Sequence, residues 1–111
     1  MAGYFELKNA AGGQFTFNLK AGNHEIILTS ERYTTKAGAE GGIASVKTNS
    51  SNDANYNRKT AKDGSPFFVL VAGNGQTIGK SEMYSSASAM ENGIKSVMTN
   101  APGATTKDLT T

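Results

Sequence analysis

Ala21-Gly22-Asn23, Ser30-Glu31-Arg32-Tyr33 and Glu40-Gly41-Gly42-Ile43-Ala44-Ser45-Val46 return 51 positions later as Ala72-Gly73-Asn74, Ser81-Glu82-Met83-Tyr84 and Glu91-Asn92-Gly93-Ile94-Lys95-Ser96-Val97. Residues 4 to 50 lie over residues 55 to 101 without a gap and match at nineteen of 47 positions. Two equal units that cannot each bury a core pack as a pseudo-twofold pair. A half of this size is marginal alone, whereas the whole chain can bury roughly two-thirds of its unfolded surface. The repeats, about 4–50 and 55–101, are therefore expected to form one domain over 1–111, with residues 102–111 as a tail that supplies a last strand.

Around the anchoring motifs the periodicity is legible. Phe15, Phe17 and Leu19 alternate with Gln14, Thr16, Asn18 and Lys20, the period of two of a strand with one buried and one wet face. Phe5 and Leu7 alternate in the same way ahead of it, and Glu25-Ile26-Ile27-Leu28-Thr29 follows the turn Ala21-Gly22-Asn23-His24. Each repeat thus opens as a three-stranded meander, and Asp63-Gly64 and Asn74-Gly75 mark the turns of the second copy. From Tyr33 the spacing becomes helical: Ala39, Ile43 and Val46, like Met90, Ile94 and Val97, fall at i, i+4 and i+7. Thr34-Thr35 and Ser85-Ser86 supply N-cap hydroxyls, so helices are predicted over about 35–48 and 86–99.

These residues, with the opening Tyr4-Phe5-Glu6-Leu7, resemble the YegP-like family of small bacterial proteins, a domain of unknown function found as single or tandem repeats, and the likeness spans both copies. The resemblance implies an α+β fold. Two tandem β-β-β-α-β repeats would form one mainly antiparallel sheet with both helices on one face and C-terminal strands exchanged between repeats. It implies no activity, cofactor or settled partner, and so no functional residue to carry over. Pro66 in place of Phe15 and Gly79 in place of Leu28 are departures between the copies that bear on strand quality.

Composition narrows the function classes. Eleven Lys and Arg against nine Asp and Glu give a net charge of +2. The basic residues are scattered singly apart from Arg58-Lys59, which argues against a nucleic-acid binder. Without cysteine there is neither a disulfide framework nor thiolate chemistry, and no apolar run approaches the roughly 20 residues of a membrane span. Met1-Ala2-Gly3-Tyr4 lacks the pattern of a secretory signal, so a cytoplasmic setting is expected, and a monomer is expected because the duplication already supplies the second half.

No set of residues converges on catalysis, and neither a metal nor another cofactor is expected. His24, the sole histidine, lies in a turn where an exposed polar role is the simpler reading. Glu31 with Glu82 and Glu40 with Glu91 could meet across a pseudo-twofold axis; the plainer alternative pairs Glu40 with Lys36 one turn away. Tyr33 and Tyr84 are expected to staple the helix starts onto the sheet, and Gly42 and Gly93 to let the helices lie close. Gly73-Asn74-Gly75-Gln76-Thr77-Ile78-Gly79 fits no phosphate loop, and no serine sits in a nucleophile elbow.

The asymmetry between the copies is the suggestive feature. Where the first has Thr16, Asn18 and Lys20, the second has Phe67, Val69 and Val71, on a face left without a helix. These three are the candidate patch for a protein partner, a second copy or a small apolar ligand; the alternative is that neighbours cover them. The expected function is thus a non-catalytic interaction or structural module. The competing readings are a small-molecule binder or enzyme using the symmetric Glu and Tyr residues, and weak nucleic-acid binding through Lys8, Lys20, Arg58 and Lys59.

Overall fold

A computed structural model describes residues 3–111, so the reading of the N-terminus rests partly on Met1 and Ala2, outside the described residues. The first repeat gives strands β1 (Tyr4–Ala10), β2 (Gln14–Lys20) and β3 (Ile26–Ser30) and helix α1 (Lys36–Asn49). The second gives β4 (Tyr56–Thr60), β5 (Pro66–Val71), β6 (Thr77–Lys80) and α2 (Ala87–Asn100), and the tail adds β7 (Thr105–Asp108). Thr35 and Ser86 are the N-caps, each hydroxyl accepting from the backbone N–H three residues on, at 2.9 and 3.1 Å.

The strands form one sheet in the order β4-β5-β6-β3-β2-β1-β7, antiparallel except where β7 runs parallel to β1. The halves join at β3 and β6, where Thr29 faces Lys80. Because these are equivalent positions of the two repeats, the pseudo-twofold axis passes between them. The strand exchange sends β7 of the second repeat onto β1 of the first; the corresponding stretch after α1 is used as β4, the opening strand of the second meander.

Both helices cover the same face. Ala39, Ile43 and Val46 of α1 and Met90, Ile94 and Val97 of α2 join Phe5, Leu7, Phe17, Leu19, Leu28, Phe68 and Leu70 in one buried cluster. Register shifts at the β2–β3 and β5–β6 pairings place Ile27 and Ile78 in the same cluster. Burial on this scale, roughly 25 cal/mol per Å² of apolar surface, is what holds the helices to the sheet. Beneath each helix Tyr33 stacks on Phe17 and Tyr84 on Phe68, with ring centroids 6.1 and 6.2 Å apart. A Cβ on Gly42 would come within 2.7 Å of the Tyr33 Cζ, and one on Gly93 within 2.6 Å of the Tyr84 Cζ. The recurring mid-helix glycines therefore make room for a tyrosine ring.

The repeated Ser-Glu-x-Tyr has a structural reason as well. Ser30 Oγ accepts from the Phe17 N–H and Ser81 Oγ from the Phe68 N–H, both at 2.9 Å, and each hydroxyl donates to the next carbonyl. The side chain thus extends the ladder where the backbone leaves for the helix. Phe15 exchanges two bonds with Tyr33, whereas Pro66 has no N–H and only accepts from Tyr84.

Two expectations are corrected. Asn18, read as wet, is buried, its amide donating to Thr29 Oγ1 at 3.0 Å, because side chains on the adjoining strands close over it. Lys36 does not pair with Glu40; Asp108 at the end of β7 takes it. That ammonium holds the Asp108 carboxyl well below the usual carboxylate range.

Candidate functional site

The helix-free face can be built from register alone. Phe17, Leu19, Phe68 and Leu70 point at the helices, so the residues between them, including Phe67, Val69 and Val71, point away. Cross-strand partners share a face: Lys59 lies beside Phe67, Asn57 and Lys80 beside Val69, and Thr29 beside Lys80 and Asn18. In the other half Glu6 lies beside Asn18 and Lys107, Lys8 beside Thr16, and Tyr4 beside Lys20 and Thr105.

The face therefore collects Lys8, Lys20, Lys59, Lys80 and Lys107, with Glu6 as its strand carboxylate. A chain of net charge +2 thus presents a face of +4 and carries −2 elsewhere. Residues dispersed in sequence are gathered in space. Lys20 pairs with Glu6 at 3.0 Å, and the Lys80 Nζ stands 4.9 Å from the Phe67 ring centroid. Arg58 is a correction to the basic set read from sequence. It lies beside Phe68 on the helix side, where Asp53 and Glu91 neutralise it.

Phe67, Val69 and Val71 form a seam down β5. Val69 is only 8% exposed, closed in by its neighbours, while Phe67 and Val71 at either side are half-buried. A cavity of about 530 Å³ opens at the far end of the same face, lined by Tyr4, His24, Thr105 and Lys107 among others. His24 stands in the left-handed region at φ 70°, as its counterpart Gly75 does at 85°, and its Nδ1 lies 2.9 Å from the Tyr4 hydroxyl.

The symmetric carboxylates do not converge. Extending the β3–β6 register sets Glu31 beside Ile78 and Glu82 beside Ile27, an offset of four residues or about 13 Å along the strands. Glu82 instead shares a crevice of about 260 Å³ with Glu25, Tyr84 and Asn92 on the helix side. Burial, and then the charges of Glu82 and Glu25, raise the Tyr84 phenol above its ordinary pKa. Glu91 is engaged by Arg58. Among the described residues no three of His, Cys, Asp and Glu are grouped to hold a metal ion, and no helix is long and apolar enough to cross a membrane.

What fold and face define is a class: a duplicated α+β module, its helices on one side of a seven-stranded sheet and a basic open surface on the other. The chain belongs to the family described as a domain of unknown function (DUF1508), whose profile matches residues 10–57 and again 61–108. It is 66% identical over 110 residues to a UPF0339 protein of Bordetella pertussis, covering 99% of this chain and 98% of the relative. To the UPF0339 protein YegP of Escherichia coli it is 54% identical, covering 99% and 100%. Solution NMR structures superpose closely. The UPF0339 protein of Shewanella oneidensis matches with a TM-score of 0.93 at 55% identity, covering 99% of this chain and 93% of that one, and E. coli yegP with 0.94 at 53%, covering 99% and 95%. The YegP-like resemblance and the α+β repeat fold read from the sequence are borne out. None of these descriptions names an activity.

Proposed function

We propose that the protein is a non-catalytic interaction module, acting as a single monomeric domain in the bacterial cytoplasm and meeting its partner through the helix-free face. Phe67, Val69 and Val71 form an apolar seam near the β4 edge of that surface, and Lys8, Lys59, Lys80 and Lys107 are its charged groups. The observation that carries the reading is the segregation of charge across the sheet: five lysines against one carboxylate on the side that no helix covers. Complementary potential of this kind steers encounter with an anionic partner. The duplication supports the monomer, since β3 meets β6 within the chain.

The test is a titration of isotope-labelled protein with anionic probes, heparin and polyglutamate. Amide shifts are expected in β1, β5 and β6 and weakened by Val69→Thr with Val71→Thr or by Lys59→Glu with Lys80→Glu. Shifts confined to the helices, or absent at low salt for both probes, would remove the proposal.

A further inference from the structure

The face offers more than charge. Lys59 lies directly across from Phe67 on β4, while Lys80 on β6 pairs with Val69 and reaches diagonally, its Nζ over the Phe67 ring at 4.9 Å. Lys8, Lys59, Lys80 and Lys107 make no ion pair among the described residues, whereas Lys20 is held by Glu6. A second copy of the chain would bring the same sign of charge to the same place and be repelled. A duplex, rigid and convex, would touch the sheet over a narrow strip and keep its bases stacked away from the Phe67 ring. An acidic protein surface satisfies the lysines but brings no planar group to the half-buried Phe67 ring, which only the Lys80 ammonium now faces.

We infer that the partner is a single-stranded nucleic acid, its phosphates crossing the face past Lys59, Lys80, Lys8 and Lys107 and a base stacking on Phe67 in place of the Lys80 ammonium, which turns from the ring to a phosphate. The inference rests on the reading of the helix-free face as the contact surface. Phosphate contact supplies affinity and base stacking orients the strand without regard to sequence. Asn18 of β2 is buried and donates to Thr29, which keeps its amide from reading base edges and fits sequence-tolerant binding.

The experiment is fluorescence anisotropy with labelled fifteen-nucleotide poly-dT and poly-U from 20 to 200 mM salt, with amide shifts mapped on the full chain. Each phosphate contact to a single strand contributes about −0.7 to the slope of log affinity against log salt, so four lysines give about −3. Lys59→Gln with Lys80→Gln is expected to halve that slope. Phe67→Leu, which keeps a core-compatible volume, is expected to weaken binding roughly tenfold while leaving the slope unchanged. No association at 20 mM salt, shifts on the helices, or tighter binding of a duplex of the same length would overturn the inference. So would polyglutamate matching the oligonucleotides on the same face, although that result leaves the face itself intact as a contact surface. Failure of every probe would sink both readings together.

Discussion

Thr29 on β3 lies directly opposite Lys80 on β6, and the two are the same position in the two repeats. The pseudo-twofold axis therefore runs through one residue pair, and the next equivalent positions, Leu28 and Gly79, crowd the same space. A Cβ on Gly79 would stand 2.9 Å from Leu28 Cγ and 3.0 Å from the Thr29 carbonyl oxygen. One large and one absent side chain fill a volume that two leucines would overfill.

Gly79→Ala is accordingly expected to destabilise the fold by about 1–3 kcal/mol through overpacking. In a Leu28→Ala background the added cost should shrink, because the clashing methyls are gone. Denaturant unfolding of the four-member cycle measures the coupling; purely additive losses would contradict the account.

Adjacent glycines in α1 should respond with opposite sign. Gly41 has open space where a Cβ would go, so Gly41→Ala is expected to stabilise by about 0.5–1 kcal/mol. At Gly42 the methyl would press on the Tyr33 and Phe17 rings, and Gly42→Ala is expected to cost about 1–3 kcal/mol despite alanine's better helix propensity. Thermal unfolding midpoints of the two variants decide this.

Tyr56 reports on alkaline stability. Its hydroxyl donates to the buried Ser50 carbonyl at 2.6 Å, and burial, followed by the Asp53 charge, lifts the phenol well above its usual pKa of 10.0. Since the folded value is the higher one, the neutral ring's stabilising contribution is complete below pH 10 and is lost as pH rises from there towards the folded value. Stability should fall between pH 9.5 and 11.5, and less steeply in Tyr56→Phe. That variant should lose about 1–2 kcal/mol at pH 7 from the unpaired carbonyl. An unchanged alkaline slope in Tyr56→Phe would assign the effect to Tyr33 and Tyr84, whose phenols are also raised.

The tail strand β7 is tied to α1 by the Lys36–Asp108 pair and to β1 by its parallel pairing. Lys36→Ala is expected to return the Asp108 carboxyl towards the normal carboxylate range in an NMR titration. It should also speed hydrogen exchange along β7, with β2 and β5 unaffected. Protection of Thr105 to Asp108 equal to the parent's would show that the pair contributes nothing to docking.

Much of this architecture was legible in the chain. The 51-residue shift, the alternation of Phe15, Phe17 and Leu19, and the spacing of Ala39, Ile43 and Val46 depend on local periodicity and yielded strands, helices and caps within a residue or so. The candidate seam at Phe67, Val69 and Val71 stood out because one copy departs from the other. Arg58 and Lys59 read alike as neighbours, yet successive residues of a strand point to opposite sides, so one is neutralised by Asp53 and by Glu91 of α2 while the other joins the open face.

Sequence by itself thus determined the duplication, the elements and the inward side of strands that alternate clearly, such as β2, because those follow from spacing along one segment. Tertiary structure alone decided that Thr29 meets Lys80 at the axis, that Lys36 belongs to Asp108, and that five scattered lysines share one surface. Such relations are set by which strands become neighbours and in what register. The hydrogen-bonded ladder and the shared core impose that choice only once both repeats have come together.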